Sequence, residues 1–174
     1  MNRLSASLAL AGALTAGMAC AQSTFQAILS GTNENPANAS TATGFGTVVL
    51  NAASNQITVN MTFSGLTGGN ASAAHIHGPG GAPTNAPVIF GFTGVPAATA
   101  GSIPEQTFAI NATQIGYLYN GFLYMNVHNS TFGGGEIRGT LTLVPEPGTA
   151  SLAFLGGAGL VFYWRRRRQA KSKS

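Results

Sequence analysis

Three side chains in this sequence can hold a metal ion or move a proton near neutral pH: His75, His77 and His128, its only histidines. Two of them lie in Ala73-Ala74-His75-Ile76-His77-Gly78-Pro79. Residues i and i+2 of a strand project to the same side, so both imidazoles leave one face while Ile76 faces the other. His128 closes a second strand-like run, in which Tyr124, Asn126 and His128 share a face opposite Met125 and Val127. Glu136 follows in Gly135-Glu136-Ile137-Arg138-Gly139, and Arg138 is the only arginine between residues 4 and 164. If the two strands lie side by side, three imidazoles converge, and Glu136, or Glu34 from the first loop, adds an oxygen. Such a set suits zinc or copper. The plainer reading is structural. Each imidazole then bonds a backbone carbonyl or a hydroxyl and orders the glycine-rich loops, since buried polar groups need partners with or without a metal. We prefer the structural role and keep copper or zinc at His75, His77, His128 and Glu136 as the alternative. Glu136 and Arg138 share a strand face and can pair with each other or brace Glu34.

Other chemistry finds little support. The four acidic residues are all glutamates, so a Ser-His-Asp triad is excluded, and no serine sits in a Gly-x-Ser-x-Gly elbow. Glu34, Glu105 and Glu136 have no spacing that favours glycoside hydrolysis. The run Thr131 to Gly135 precedes a strand and not a helix, so it is no phosphate cradle. The expectation is a protein that is not an enzyme, with no catalytic residue.

The elements that must carry these side chains have a period of two from Thr24 onward. Phe25, Ala27 and Leu29 alternate with Gln26 and Ile28, and Ile57, Val59, Met61 and Phe63 alternate with Thr58, Asn60 and Thr62. Short strands are also expected over 47–50, around the His-x-His pair, over 88–92, 106–110 and 122–128, and over 137–144. Gly/Pro/Asn-rich turns separate them. One helical turn is expected from an Asn111 cap to about Asn120, ended by Gly121. About eight short strands without a long helical period indicate an all-β fold, an antiparallel β-sandwich. The composition agrees, with 24 glycines in 174 residues and only 7% charged side chains.

The formal charge of +4 suggests a basic protein until the charges are placed. Residues 22–144 carry three glutamates against Arg138 alone, while six of the eight positive charges fall after residue 164. Nucleic-acid binding needs a basic folded surface, so it is excluded as a partner. Residues 1–21 read as a signal peptide, with Arg3 before an apolar run and Ala19-Cys20-Ala21 fitting cleavage between Ala21 and Gln22. Acylation at Cys20 is the rival processing. Removing the segment takes the only cysteine with it, so no disulfide is expected. Asn-x-Ser/Thr sequons occur at Asn38, Asn60, Asn70, Asn111 and Asn129, a frequency the composition itself can produce.

At Val144 the texture changes. Pro145-Glu146-Pro147 is a stiff break, followed by an uncharged stretch to Trp164 and then Arg165, Arg166, Arg167 and Arg168. As a helix, residues 149–164 span about 24 Å, slightly short of a ~30 Å hydrocarbon core that snorkelling arginines can reach across. The basic tail, 165–174, should remain cytoplasmic with the β-domain outside.

Two resemblances follow from these stretches. The C-terminal part, 145–174, resembles the PEP-CTERM sorting signal in its Pro-Glu-Pro, its apolar segment and its terminal arginines. That resemblance implies export, transient anchoring in the inner membrane, and recognition by an exosortase-type enzyme that cleaves near Pro147. Release to the cell surface or the extracellular matrix follows; a plain membrane anchor is the other explanation. Residues 22–144 resemble a CHRD domain through Phe25 to Gly31 with Glu34-Asn35-Pro36, through Ala73 to Pro79, through Tyr124 to Asn129, and through Gly135 to Gly139. This implies a β-sandwich with no established enzyme chemistry, here a binding or structural module whose partners are exopolysaccharide or surface proteins. His-x-His also resembles part of a copper/zinc superoxide dismutase site, but the further histidines, the aspartate and the disulfide of that site are absent.

Overall fold

The structure, a computed structural model, describes residues 22–80 and 84–145. In chain order the elements are β1 (Ser23–Ser30), a 3-10 turn (Gly31–Asn33), β2 (Thr43–Leu50), β3 (Gln56–Ser64), β4 (Ala71–His77) and β5 (Val88–Gly91). β6 (Gly101–Ala109), helix α1 (Ala112–Tyr119), β7 (Tyr124–Asn129), β8 (Ile137–Thr140) and β9 (Thr142–Leu143) complete them. The period of two becomes an inside and an outside. Phe25, Ala27 and Leu29 of β1 and Ile57, Val59, Met61 and Phe63 of β3 are all buried in one apolar cluster. Helix α1 begins as its sequence predicts: Asn111 accepts from the Gln114 amide at 3.0 Å while the Gln114 side chain accepts from the Asn111 amide. That reciprocal cap satisfies two donors the first turn would leave orphaned.

The fold is all-β and antiparallel, as expected, but the strands do not divide into the two hydrogen-bonded sheets of a sandwich. They form one sheet in the order β5-β4-β7-β8-β1-β2-β3-β6, with β9 added to β1. The join lies at β8, which pairs with β7 over four residues and meets β1 at Ser30 opposite Arg138. The sheet curls until its two edges nearly meet. Phe90 and Phe92, on or just after β5, pack against Phe108 of β6, and the Gln106 side chain bonds both backbone groups of Thr93. The result is close to a closed barrel around a single core, an arrangement that leaves little free edge.

Two of the strands that differ from their predicted extents do so for a visible reason. β6 begins at Gly101 and includes Pro104, which a sequence reading assigns to a loop. Proline is tolerated on edge strands and at bulges, and β6 is an edge whose register slips between Val59 and Met61, opposite Pro104. The expected strand over 137–144 is broken at Leu141, where the chain changes partner from β7 to β1.

Gly139 sits where β8 presses against β1. A Cβ there would lie 2.5 Å from the Ile28 carbonyl oxygen, a backbone atom that cannot turn aside. Gly139→Ala is therefore expected to destabilise the domain by about 1–3 kcal/mol, measured as a lower urea midpoint. A neutral effect would mean that β8 and β1 are free to separate there.

Candidate functional site

β4 and β7 lie side by side and antiparallel, with His75 opposite Asn126, His77 opposite Tyr124 and Ala73 opposite His128. Ala74, Ile76, Met125 and Val127 enter the core, so Tyr124, Asn126, His75, His77 and His128 occupy the other face of the sheet. In an ordinary antiparallel sheet that face would be wet. Here Tyr124, Asn126 and His77 are buried, as are Glu34 and Arg138 nearby. The domain thus carries a second, polar layer outside its apolar one.

The three imidazoles meet within that layer. Nδ1 of His75 lies 3.0 Å from Nε2 of His128, and one ring nitrogen from each histidine falls within 4.8 Å of the others. The small Ala73 opposite His128 leaves room for the diagonal contact with His75. His77 Nδ1 donates to the Ala86 carbonyl at 2.8 Å, and His128 Nδ1 donates to the Gly133 carbonyl at 2.9 Å. A carbonyl only accepts, so both rings carry their proton on Nδ1 and present Nε2 as a lone pair. Nε2 of His77 is buried and has no partner among the described residues. Asn126 is close enough for its carboxamide to favour the protonated ring, but it does not reach hydrogen-bonding geometry.

Tyr124 organises the same layer from the middle strand. Its ring stacks on His77 at 4.9 Å, and the Arg138 guanidinium lies 3.4 Å from its centroid. Its hydroxyl accepts from the Ala86 amide, so Ala86 binds both members of the stack. Arg138, buried, donates to Asn85 Oδ1 and the Thr84 carbonyl, not to Glu136 as the shared strand face suggested. Glu34 is buried close by, with Oε1 unpartnered. Gly135, at φ +129°, leaves the space Glu34 occupies, because a Cβ there would run into Oε1.

Glu136 is not in the histidine cluster. Its carboxylate, fully buried, accepts from Ser40 Oγ at 2.5 Å, Thr67 N at 2.6 Å, Thr67 Oγ1 at 2.9 Å, Gly68 N at 3.1 Å and Asn129 Nδ2. Sequence reasoning missed these partners. The available signal was that a lone buried carboxylate must find donors somewhere, and this chain is rich in serine, threonine and asparagine.

Burial works to raise the Glu136 carboxyl, but the donors from Ser40, Thr67 and Gly68 outweigh it and hold it below the usual carboxylate range. Burial pushes Glu34 the other way, up to about 7, against the opposing pull of Arg138. Burial also lowers all three histidines, His75 to about 4, where His128 and His77 add to the effect. The site is therefore a group of neutral imidazoles at neutral pH.

The comparisons with known proteins agree with the sequence on both halves of the chain. The family model of the CHRD domain matches residues 25–141. The chain belongs to the CHRD family. That match contains β1 from Phe25 onward, β2 to β8, all three histidines, Glu34, Glu136 and Arg138. The model of the PEP-CTERM protein-sorting motif matches residues 143–168, which implies recognition by an exosortase-type sorting system and an exported, cell-surface protein. No curated protein and no solved structure matches the chain. The expected signal peptide over 1–21, with its Ala21–Gln22 cleavage point, lies outside the described residues, as do Glu146, Pro147, the apolar segment 149–164 and Arg165 to Arg168. Among the described residues no helix is long and apolar enough to cross a membrane.

Two outcomes follow. Glu136→Gln places an amide among five donors and removes the charge they stabilise. It should cost about 2–3 kcal/mol in chemical denaturation, and an unchanged midpoint would contradict the assigned role. For pH, the folded chain holds the His75 proton less tightly than the unfolded chain does. Its contribution to stability is complete above about pH 6.5 and is lost as pH falls towards about 4. Glu34 acts oppositely, because the folded state favours its proton between pH 4.5 and about 7. His75→Gln separates the two effects. Thermal melts with chelator present should show the variant gaining on the wild type as pH falls through that window, whereas parallel profiles would refute the assignment.

Proposed function

We propose that the protein is an exported envelope or matrix protein whose CHRD domain acts outside the cell as a non-enzymatic binding or structural module. The supporting observation is the arrangement of the two matches. A domain with its own closed core ends at β9, and the sorting motif begins at that same point, residue 143. In this reading residues 1–21 direct export, residues 149–164 hold the chain transiently in the inner membrane, and an exosortase-type enzyme cleaves near Pro145-Glu146-Pro147. The released domain then meets exopolysaccharide or other surface proteins.

An open groove of about 730 Å³ beside β1 and β9 supports a polysaccharide partner. Gln26, Thr32, Asn33, Asn35, Thr140 and Thr142 line it with amides and hydroxyls, groups that bond sugar hydroxyls.

The test is processing in the native host. The wild type should yield a shortened extracellular form lacking residues beyond about Pro147. A variant with Arg165 to Arg168 changed to glutamine should remain full-length in the membrane fraction. A wild-type protein that itself stays full-length in the membrane would sink the sorting reading.

A further inference from the structure

We propose that His75, His77 and His128 together bind one zinc- or copper-class ion through three imidazole nitrogens. This rests on reading the domain as a binding module and names the chemistry of one thing it binds. The carrying observation is the Nε2 of His77, unpartnered among the described residues, on a side chain only 8% exposed. A purely structural histidine would use both nitrogens, and leaving one buried acceptor unsatisfied is costly. Here the protein fixes the ring through Nδ1 and aims the lone pair inward.

The same device is repeated at His128, whose Nδ1 is held by Gly133. A backbone carbonyl on the far nitrogen is the usual outer partner of a metal-bound histidine, since it fixes the tautomer and the ring orientation. His75 completes the set. Without an ion, its Nδ1 proton bridges to Nε2 of His128 across 3.0 Å. On binding, that proton moves to Nε2 of His75, and the freed Nδ1 lone pair turns to the ion. Tetrahedral zinc–nitrogen bonds place ligand nitrogens roughly 3.3 Å apart. The close pair must therefore open slightly and the widest pair, within 4.8 Å, must close, both by ring rotation.

The donor set selects the class of ion. Three neutral nitrogens without carboxylate or thiolate suit zinc or copper(II) and not calcium or magnesium, which require oxygen. Glu136 is held by its own donors, so the fourth position falls to water or an external ligand.

The experiment uses the full-length chain in mild detergent, stripped with chelator and then titrated with zinc chloride or copper sulfate. One ion per chain is expected by elemental analysis, with copper(II) bound more tightly than zinc. His75→Ala and His128→Ala should each weaken binding by more than the ~10–100-fold typical of losing an outer partner. Circular dichroism checks that each variant is folded, and His75→Ala removes a ring that has no carbonyl anchor. A folded wild type that takes up neither ion stoichiometrically overturns the proposal, as does undiminished binding in both variants. Processing plays no part in this readout, so its failure and that of the sorting reading can be told apart.

Discussion

A full negative charge sits in the interior of this domain with no cation beside it among the described residues. Glu136 is stable there because hydroxyls, amides and a carboxamide from three separate segments converge on its two oxygens. Charge-assisted hydrogen bonds of this kind are the strong ones, and they act only if every donor is in place. The loop before β2, the turn before β4 and the end of β7 are thereby drawn to one point. Since Asn129 is among the donors, the position of its neighbour His128 is set by the same convergence. The apolar core makes the strands collapse, while this carboxylate fixes how the loops lie on them.

Above that point the polar layer has two kinds of member. Some groups are fully engaged, such as Tyr124, whose ring meets His77 and the Arg138 guanidinium and whose hydroxyl accepts from the Ala86 amide. Others are buried with an atom left over: Glu34 Oε1, His77 Nε2, Asn126 Oδ1 and Arg138 Nε. Folded proteins keep such atoms few, because each one costs free energy. That several occur around one strand pair, next to three imidazoles, distinguishes this face from a layer evolved for stability alone.

Much of this was legible in the sequence. Alternation in 25–29 and 57–63 gave the strands and the core, and the His-x-His spacing gave a shared face. Tyr124, Asn126 and His128 were rightly placed together as well. What the sequence could not supply was long-range pairing. Whether β4 adjoins β7, and hence whether His128 meets the pair, depends on topology, and so does the merging of two expected sheets into one. Local pattern also misassigned Pro104, because only the register shift on an edge strand explains how a proline is accommodated there. Glu136, which follows His128 closely in sequence, was a candidate oxygen ligand beside the histidines, yet its oxygens point to donors up to 96 residues away.

The two-residue strand β9 lies against Phe25 and Gln26, and the amide of Val144 bonds the carbonyl of Thr24. The described chain therefore enters and leaves the barrel at one place. A mechanical load applied at Pro145 acts on this short terminal ladder before it reaches any other strand pair. Tension would peel a few hydrogen bonds from the rim, while the strands that carry the histidines and the core stay unstretched. A domain hung by its C-terminal end can in this way sway on its tether without deforming the face it presents to the surroundings.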